Sequence, residues 1–263
     1  MNRLGFSILF FCIGFLAQNS NAGIRKDPPR QFIQIRVYHV ADAQQIVSTL
    51  HFLQTSFIPA VHRHGVKNVG VFHAIANDTA VDKYVYVIIP FNTLNDSVNL
   101  DLQLASDKDY QQAGSSFLGA SYDKPMFSRY ETILLRAFEK MPVVKASGLT
   151  GPKKDRVYEL RSYESPTDNL HHNKVQMFNS GDEVGIFNRL GFNAVFYGDV
   201  LFGSKMPNLM YMTSFENRQS REDHWKAFGN DPAWKQLSAM PEYQHNVSKA
   251  EITFLTPEEF SEL

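Results

Sequence analysis

The chain has 263 residues, of which 43% are hydrophobic, 20% charged and 13% aromatic, and its formal charge is −1. A disordered chain would have fewer aromatic residues and a larger net charge, so this composition indicates a folded, globular protein. The near balance of acidic and basic residues argues against a nucleic-acid-binding protein, because no positive excess is available to contact phosphates. At this length we expect one large domain or two domains of about 100–150 residues.

The first 22 residues have the features of an export signal. A positively charged start that contains Arg3 precedes an apolar run from Leu4 to Ala17, and a polar stretch then leads to the small residue Ala22. The apolar run is too short to cross a bilayer, which requires about 20 residues. We therefore predict a signal peptide over residues 1–22 and an exported protein, periplasmic or secreted, without a membrane span after signal removal.

The only cysteine, Cys12, lies inside the predicted signal. The exported chain then has no thiol, which excludes disulfides, thiolate nucleophiles and zinc or iron–sulfur centres with cysteine ligands. Its stability must come from a packed apolar core, which a chain of this length can form. We predict neither a metal site nor another cofactor.

The sequence repeats itself at a nearly constant offset. The matching segments are Gln34–Tyr38 with Glu159–Tyr163 and Val85–Val87 with Met210–Met212 at 125 residues, Arg63–Gly65 with Arg189–Gly191 at 126, and Glu131–Leu134 with Glu251–Phe254 at 120. Such regularity indicates two homologous halves. The alignment makes Arg36 equivalent to Arg161 and Tyr86 equivalent to Tyr211.

The first half is predicted to run strand, helix, two strands, helix and strand. Alternating apolar residues from Phe32 to Val37 predict the opening strand. The next helix is indicated by apolar residues three and four positions apart, namely Ile46, Leu50, Leu53, Phe57 and Val61. The remaining elements are strands over 66–75 and 84–91, a helix that contains Tyr110, and a strand over 129–138.

The second half is predicted to repeat this order. Its first helix begins near Leu170 and is interrupted after Phe178, where Ser180 followed by Glu183 indicates a capping box and a new helix start. The other elements are strands over 157–163, 192–199, 208–215 and 250–255, and a helix region that contains Trp225 and Trp234. Gly65 and Gly191 are predicted to end the first helices of the two halves, as residues with a left-handed backbone.

The order βαββαβ is that of a ferredoxin-like unit. We therefore predict an α+β protein with two tandem ferredoxin-like repeats, residues 30–141 and 156–263, joined by a linker over residues 142–155. Continuous apolar runs such as Val85–Ile89 indicate strands that are buried on both faces. The two antiparallel sheets are accordingly predicted to pack face to face as a pseudo-dimeric α+β barrel, and a further homo-oligomer is compatible with this arrangement.

The second half resembles the NIPSNAP family. The resemblance is carried by segments between Val157 and Leu255, namely Tyr158–Tyr163, Phe187–Phe192, Arg221–Phe228 and Asn230–Trp234. The first half is similar but degenerate, since Asp109-Tyr110 stands where Pro232-Ala233-Trp234 lies in the second. The resemblance implies the dimeric α+β-barrel fold of small monooxygenases and haem-degrading enzymes, and it implies no particular reaction.

Three residues are candidates for catalysis, namely His171, Glu183 and His224. An imidazole is the natural general base near neutral pH. A metal site at the His171-His172 pair is disfavoured, because adjacent residues on a helix point about 100° apart. The alternative for His171 is a solvated helix start, and His224 could face water equally well.

Four further residues are candidates for lining a ligand cavity, namely Arg161, Tyr211, Trp225 and Trp234. The alternative for the three aromatic residues is core packing, to which they contribute large apolar areas. The alternative for Arg161 is an ion pair with a nearby carboxylate such as Glu159.

These residues favour a protein that binds a small apolar molecule between its helices and its sheet. Aromatic residues and the methionines of the second half suit an adaptable apolar pocket. Two other functions stay open, a cofactor-independent oxygenase-like or proton-transfer enzyme and a protein-interaction module. Motifs for dinucleotides, for phosphate-binding loops and for serine hydrolases are absent from the sequence.

Overall fold

The structure, a computed structural model, describes residues 29–77 and 79–263, so the predicted signal peptide over residues 1–22 lies outside the described residues. The strands are β1 (Phe32–Val40), β2 (Gly70–Ala74), β3 (Lys83–Phe91), β4 (Arg129–Ala137), β5 (Val157–Glu164), β6 (Ala194–Phe202), β7 (Asn208–Phe215) and β8 (Lys249–Pro257). The helices are α1 (Ala43–Phe52), α2 (Ile58–Arg63), α3 (Leu94–Ser106), α4 (Lys108–Ala113), α5 (Ser115–Leu118), α6 (Asp168–Asn179), α7 (Glu183–Arg189), α8 (Arg218–Asn230) and α9 (Pro232–Ser238).

The eight strands form one closed antiparallel barrel in the order β1-β3-β2-β8-β5-β7-β6-β4. Strand β2 pairs with β8, and β4 pairs with β6, so both edges of each half are bonded to the other half. The predicted α+β barrel is therefore confirmed, and its sheets also join edge to edge, which the prediction of face-to-face packing did not include. Edge strands expose unpaired N–H and C=O groups, and closure of the barrel pairs them.

Three apolar clusters stabilise the fold. One lies between the helices and strands of the first half, and a second lies between those of the second half. The third fills the barrel interior and takes residues from both halves, among them Ile35, Phe72, Leu135, Tyr158 and Met212. The faces that carry no helices therefore meet inside the barrel, which explains why the strands are apolar on both faces.

The strand register shows that Tyr86 and Tyr211 are not equivalent, contrary to the sequence alignment. Val37 of β1 pairs with Tyr86, whereas the corresponding Ser162 of β5 pairs with Met210. The true offset between β3 and β7 is thus one residue shorter than the aligned one. Because strand side chains alternate between faces, this shift places Tyr86 inside the barrel and Tyr211 under the helices.

The first helix of the first half has the predicted apolar face, but it is not a regular α-helix throughout. A π-helical segment, Leu53–Phe57, separates α1 from α2. Pro59, in the first turn of α2, lacks the N–H that a continuous helix would use, which accounts for the local irregularity. Gly65 then ends α2 with φ +83°, and Val66 N–H donates to the Val61 carbonyl, as predicted for a glycine that terminates a helix.

The helix of the second half breaks where predicted, between α6 and α7, but the predicted capping box is wrong. The residue before α7 is Asp182, with φ 67° and no side-chain cap. The Ser180 hydroxyl instead donates to the Gln176 carbonyl, and the Glu183 carboxylate accepts from Lys174. A buried cation thus takes the carboxylate that the capping box requires.

The segment over residues 142–155 is tied to the second half. Lys145 N–H donates to the Val195 carbonyl, and Thr150 and Gly151 N–H groups donate to the Glu216 carboxylate. A short 3-10 turn, Lys153–Asp155, leads into β5. Among the described residues, no helix has both the length and the apolar character needed to span a bilayer.

Candidate functional site

A cavity of about 420 Å³ opens at one end of the barrel. Seven of the eight strands contribute to its wall. Its apolar part consists of Val37, Ile133, Leu160, Val200 and Met210. Polar and charged residues surround this apolar part, so the cavity combines an apolar interior with ionisable groups near its opening.

His39 and Glu131 form a close pair on one wall of this cavity. Nε2 of His39 lies 2.6 Å from Oε1 of Glu131, and the His39 side chain is only 13% exposed. The two atoms are in close contact without the alignment of a hydrogen bond, since Nε2 makes no hydrogen bond. The edge-on ring of Tyr84, 4.9 Å between centroids, fixes the imidazole from another side.

A second glutamate occupies the opposite wall. Glu131 on β4 pairs with Val37, and Glu251 on β8 pairs with Ser162, so the two glutamates hold equivalent positions in the two halves. The strand order places β4 and β8 four strands apart, on opposite sides of the barrel. Glu251 is neutralised by Lys205, from the turn between β6 and β7, and by Lys249 at 2.7 Å.

Tyr86 projects into the cavity from β3. Burial raises the pKa of its phenol to about 12, and a contact with Thr253 only partly offsets this effect. The hydroxyl therefore stays protonated at neutral pH and can donate a hydrogen bond to a bound molecule.

The predicted ligand-cavity residues Arg161 and Trp225 meet between helix α8 and the sheet. The guanidinium carbon of Arg161 lies 3.7 Å from the Trp225 ring centroid. Both side chains contact the fully buried Glu159, Arg161 through Nε at 2.5 Å and Trp225 through Nε1 at 2.8 Å. Arg221 adds a third contact at 2.7 Å. The expected pairing of Arg161 with Glu159 is confirmed.

The charges of this cluster are balanced internally. Burial disfavours the ionised form of Glu159, but hydrogen bonds from Arg221 and Arg161 outweigh burial and lower the pKa of the carboxyl. No buried polar atom of Glu159, Arg161, Arg221 or Trp225 lacks a partner in the described part of the chain. The arrangement is that of a satisfied buried polar network, which needs no ligand to complete it.

Tyr211 and Trp234 lie at the margins of this network. The Tyr211 hydroxyl is 3.0 Å from that of Tyr163, which in turn accepts from Arg161. The Trp234 ring packs on Phe228, 4.4 Å between centroids. All four predicted ligand-cavity residues are therefore neighbours in one layer, and their contacts are with the protein itself.

The three predicted catalytic residues are bonded separately. His171 Nε2 lies 2.6 Å from Asp199, Glu183 accepts from Lys174 at 2.9 Å, and His224 Nδ1 lies 2.6 Å from the Ser220 carbonyl. Within residues 29–77 and 79–263, no hydrogen bond joins any two of the three. The free nitrogen of His171, Nδ1, is buried without a partner and is closed to solvent.

Sequence reasoning missed His39 and identified Glu131 only as the start of a repeated segment. Histidine pairs with glutamate across two strands that are 92 residues apart in the chain (39 to 131), and no local spacing signals such a pair. The one usable signal was the match of Glu131 with Glu251, which are equivalent in the structure.

No group of three or more His, Cys, Asp or Glu side chains is arranged to hold a metal ion in the part of the chain that the structure describes. Helix α3 exposes apolar side chains at four-residue spacing, namely Leu94, Val98 and Leu102. These three residues form a narrow stripe on the surface of the first half.

The fold defines the class of this protein, a closed α+β barrel with helices on its outer surface. Residues 158–262 match the model of the NIPSNAP family, which confirms the predicted resemblance of the second half. A comparison with curated proteins finds no match.

Several solved structures share the whole architecture. A protein from Lactobacillus acidophilus NCFM, provisionally named a monooxygenase, is 13% identical, with a TM-score of 0.57 over 87% of this chain and 94% of its own. A protein from Fusobacterium nucleatum subsp. nucleatum ATCC 25586 with the same provisional name is 7% identical, with a TM-score of 0.58 over 87% and 92%. An anthrone oxidase-like protein is 9% identical, with a TM-score of 0.50 over 87% and 92%. At these identities the similarity is one of fold alone.

Proposed function

We propose that this chain binds a small, mostly apolar molecule in the open end of its barrel. The observation that carries the proposal is the cavity of about 420 Å³ with an apolar interior and a few polar groups. Ligand sites in proteins have this character and span about 300–1,000 Å³. The helix–sheet layer of the second half, where the sequence favoured a ligand, is filled by a polar network that is already satisfied.

The test combines native mass spectrometry with a variant that fills the cavity. Ile133→Trp places an indole at the cavity wall, and Ile252→Trp makes the same change at an exposed strand position outside it. We expect a co-purified small molecule on the wild type and on Ile252→Trp but not on Ile133→Trp. A wild type that carries no adduct, and that binds no member of a panel of hydrophobic compounds in calorimetry, would refute the proposal.

An oxygenase-like or proton-transfer activity at His171 is the second candidate. In its favour, buried His171 lies 2.6 Å from Asp199, which orients the imidazole; against it, the other ring nitrogen, Nδ1, is closed to solvent. The anthrone oxidase-like neighbour suggests anthrone as a probe, although a shared fold does not determine a reaction. Oxygen uptake with anthrone that is lost in His171→Ala would support this candidate, and no uptake by the wild type would exclude it for that substrate.

We also propose that the chain consists of two ferredoxin-like repeats, residues 30–141 and 156–263, joined by residues 142–155. In support, the strand order is β4-β1-β3-β2 in the first half and β8-β5-β7-β6 in the second. Arg36 and Arg161 both lie on the outer, helix-covered face of their strands, and each carries an aromatic contact. Separate expression of residues 156–263 as a self-associating barrel would test the proposal.

Export is a proposal that rests on residues 1–22. N-terminal sequencing of the protein recovered from periplasm or medium tests it, and a mature chain that starts at Gly23 is expected. Native mass spectrometry of the same material reports whether the protein forms a homo-oligomer.

A further inference from the structure

His39, at the open end of the barrel, is surrounded by side chains that can orient its imidazole. His39 lies on β1, and the side chains packed around it are Tyr84 from β3 and Glu131 with Arg129 from β4. The Arg129 guanidinium is 3.8 Å from the same Glu131 oxygen. The imidazole therefore lies between the Tyr84 ring and the Glu131 carboxylate, and this carboxylate is also near the Arg129 guanidinium.

This environment assigns different roles to the two nitrogens of His39. Nε2 is buried and faces the Glu131 carboxylate at 2.6 Å, so it is the nitrogen that carries the proton in neutral imidazole. Nδ1 makes no hydrogen bond to any described residue. It is also absent from the fully buried polar atoms without a partner, so it is accessible. Nδ1 is therefore free to accept a proton from a molecule in the cavity.

We propose that His39 is a general base in the barrel-end cavity, positioned by Glu131, and that its substrates are phenols or enols. This inference rests on the proposed function, since a molecule must first bind in the cavity. In the step, the O–H bond of the ligand breaks, its electron pair stays on oxygen, and the proton forms a bond to Nδ1 of His39. The resulting imidazolium is stabilised by the Glu131 carboxylate. Return of the proton to a carbon of an enolate would complete a keto–enol isomerisation without another reactant.

The chemistry of the cavity fits this substrate class. Apolar side chains, among them Leu160 and Met210, suit an aromatic or alicyclic ring. Lys205 and Arg129 lie near the opening, each paired with a glutamate of the same cavity, so the anion that deprotonation creates has cations within reach although the charges there are balanced. Proton transfer by a positioned side chain contributes typically about 10²–10⁴-fold to a rate.

The experiment uses 4-nitrophenol, whose absorbance reports its ionisation, and its methyl ether 4-nitroanisole, which cannot ionise. Calorimetry with 4-nitroanisole measures binding alone. Absorbance of bound 4-nitrophenol measures proton transfer, and we expect a phenolate-to-phenol ratio about tenfold above that in buffer, equivalent to one pKa unit. His39→Gln should abolish this increase while 4-nitroanisole still binds, and Glu131→Gln should reduce it.

The matched control is His73→Gln. His73 also pairs with a glutamate, Glu258, at 2.6 Å, but it lies outside the cavity, so the phenolate signal should not change. Binding of 4-nitroanisole without the phenolate increase, or an increase that persists in His39→Gln, would overturn the inference and leave the proposed function standing. Failure of both compounds to bind the wild type would overturn the inference, and the proposed function would be overturned with it only if no member of the hydrophobic panel bound either.

Discussion

Lys174 donates a hydrogen bond to Glu183 across the break between helices α6 and α7, with 2.9 Å between Nζ and Oε2. The two side chains are only 6% and 3% exposed. Burial raises the pKa of the Glu183 carboxyl, and the neighbouring Lys174 opposes that effect. The ammonium also lies 4.8 Å from the Phe178 ring centroid. This pair joins two helices at the point where the chain has no side-chain cap.

Removal of one partner of this pair should be costly. Lys174→Met leaves a buried carboxylate without its cation, and we expect the free energy of unfolding at neutral pH to fall by about 3–5 kcal/mol. The double variant Lys174→Met/Glu183→Leu should lose much less, because no uncompensated charge remains. Urea denaturation measures both values. The single variant Lys174→Met should recover stability as the pH falls, because the lone carboxyl of Glu183 becomes protonated. A loss of less than about 1 kcal/mol in this variant at neutral pH would contradict this account.

Stability should fall in acid because of two aspartates that cap helix N-termini, Asp107 before α4 and Asp231 before α9. Hydrogen bonds from Arg63 lower the pKa of Asp107 to about 2, and those from Arg189 lower the pKa of Asp231 to about 2. Both values lie below the ordinary 3.8. A lowered pKa in the folded state gives stability that is present above the unfolded value and lost as the pH falls through the folded one.

We therefore expect the melting temperature to decline between about pH 4 and pH 2. The double variant Asp107→Asn/Asp231→Asn should be less stable at neutral pH and should show a weaker decline. Thermal unfolding at a series of pH values checks this. Equal slopes for wild type and variant would mean that other carboxyl groups control acid unfolding.

Substitution of Gly65 should destabilise the protein only because of the backbone conformation at this position. Its φ is +83°, and a Cβ added there meets no atom within 4 Å. Gly65→Ala should thus cost about 1–2 kcal/mol in the free energy of unfolding, the penalty of an L-residue in left-handed backbone. Gly229→Ala is the matched control, since Gly229 lies within helix α8 and a Cβ added there also meets no atom within 4 Å. It should stabilise the protein by about 0.5–1 kcal/mol, and a stabilising Gly65→Ala would contradict the argument.

Tyr86 should ionise late. Burial raises its pKa to about 12, so in an alkaline absorbance titration Tyr86→Phe should remove one phenol that ionises near pH 12. The earlier part of the titration curve should be unchanged, because the substitution leaves the other tyrosines in place. If Tyr86→Phe instead removes absorbance change at a pH well below 12, the phenol is more exposed to water than the apolar lining of the cavity indicates.

The elements were largely predictable because they depend on local patterns. Alternation identified the strands, and three- and four-residue spacing identified the helix before Gly65. The exceptions have specific causes. Ser180 and Glu183 fit a capping box by spacing, but Lys174 takes the carboxylate, and a lysine nine residues away leaves no local signal. The match of Tyr86 with Tyr211 was wrong by one residue. Similar residues can be aligned one position off in a sequence, but in a strand this error moves the side chain to the other face of the sheet.

The sequence by itself determined the order of strands and helices, the NIPSNAP resemblance of the second half and the glycines that end the helices. Each of these depends on residues close together in the chain or on comparison of one half with the other. Only the tertiary structure decided that the sheets join edge to edge and that a cavity lies at the barrel end beside His39 and Glu131. The physical reason is that strand pairing between the halves, and the contacts that pairing creates, join residues that are distant along the chain.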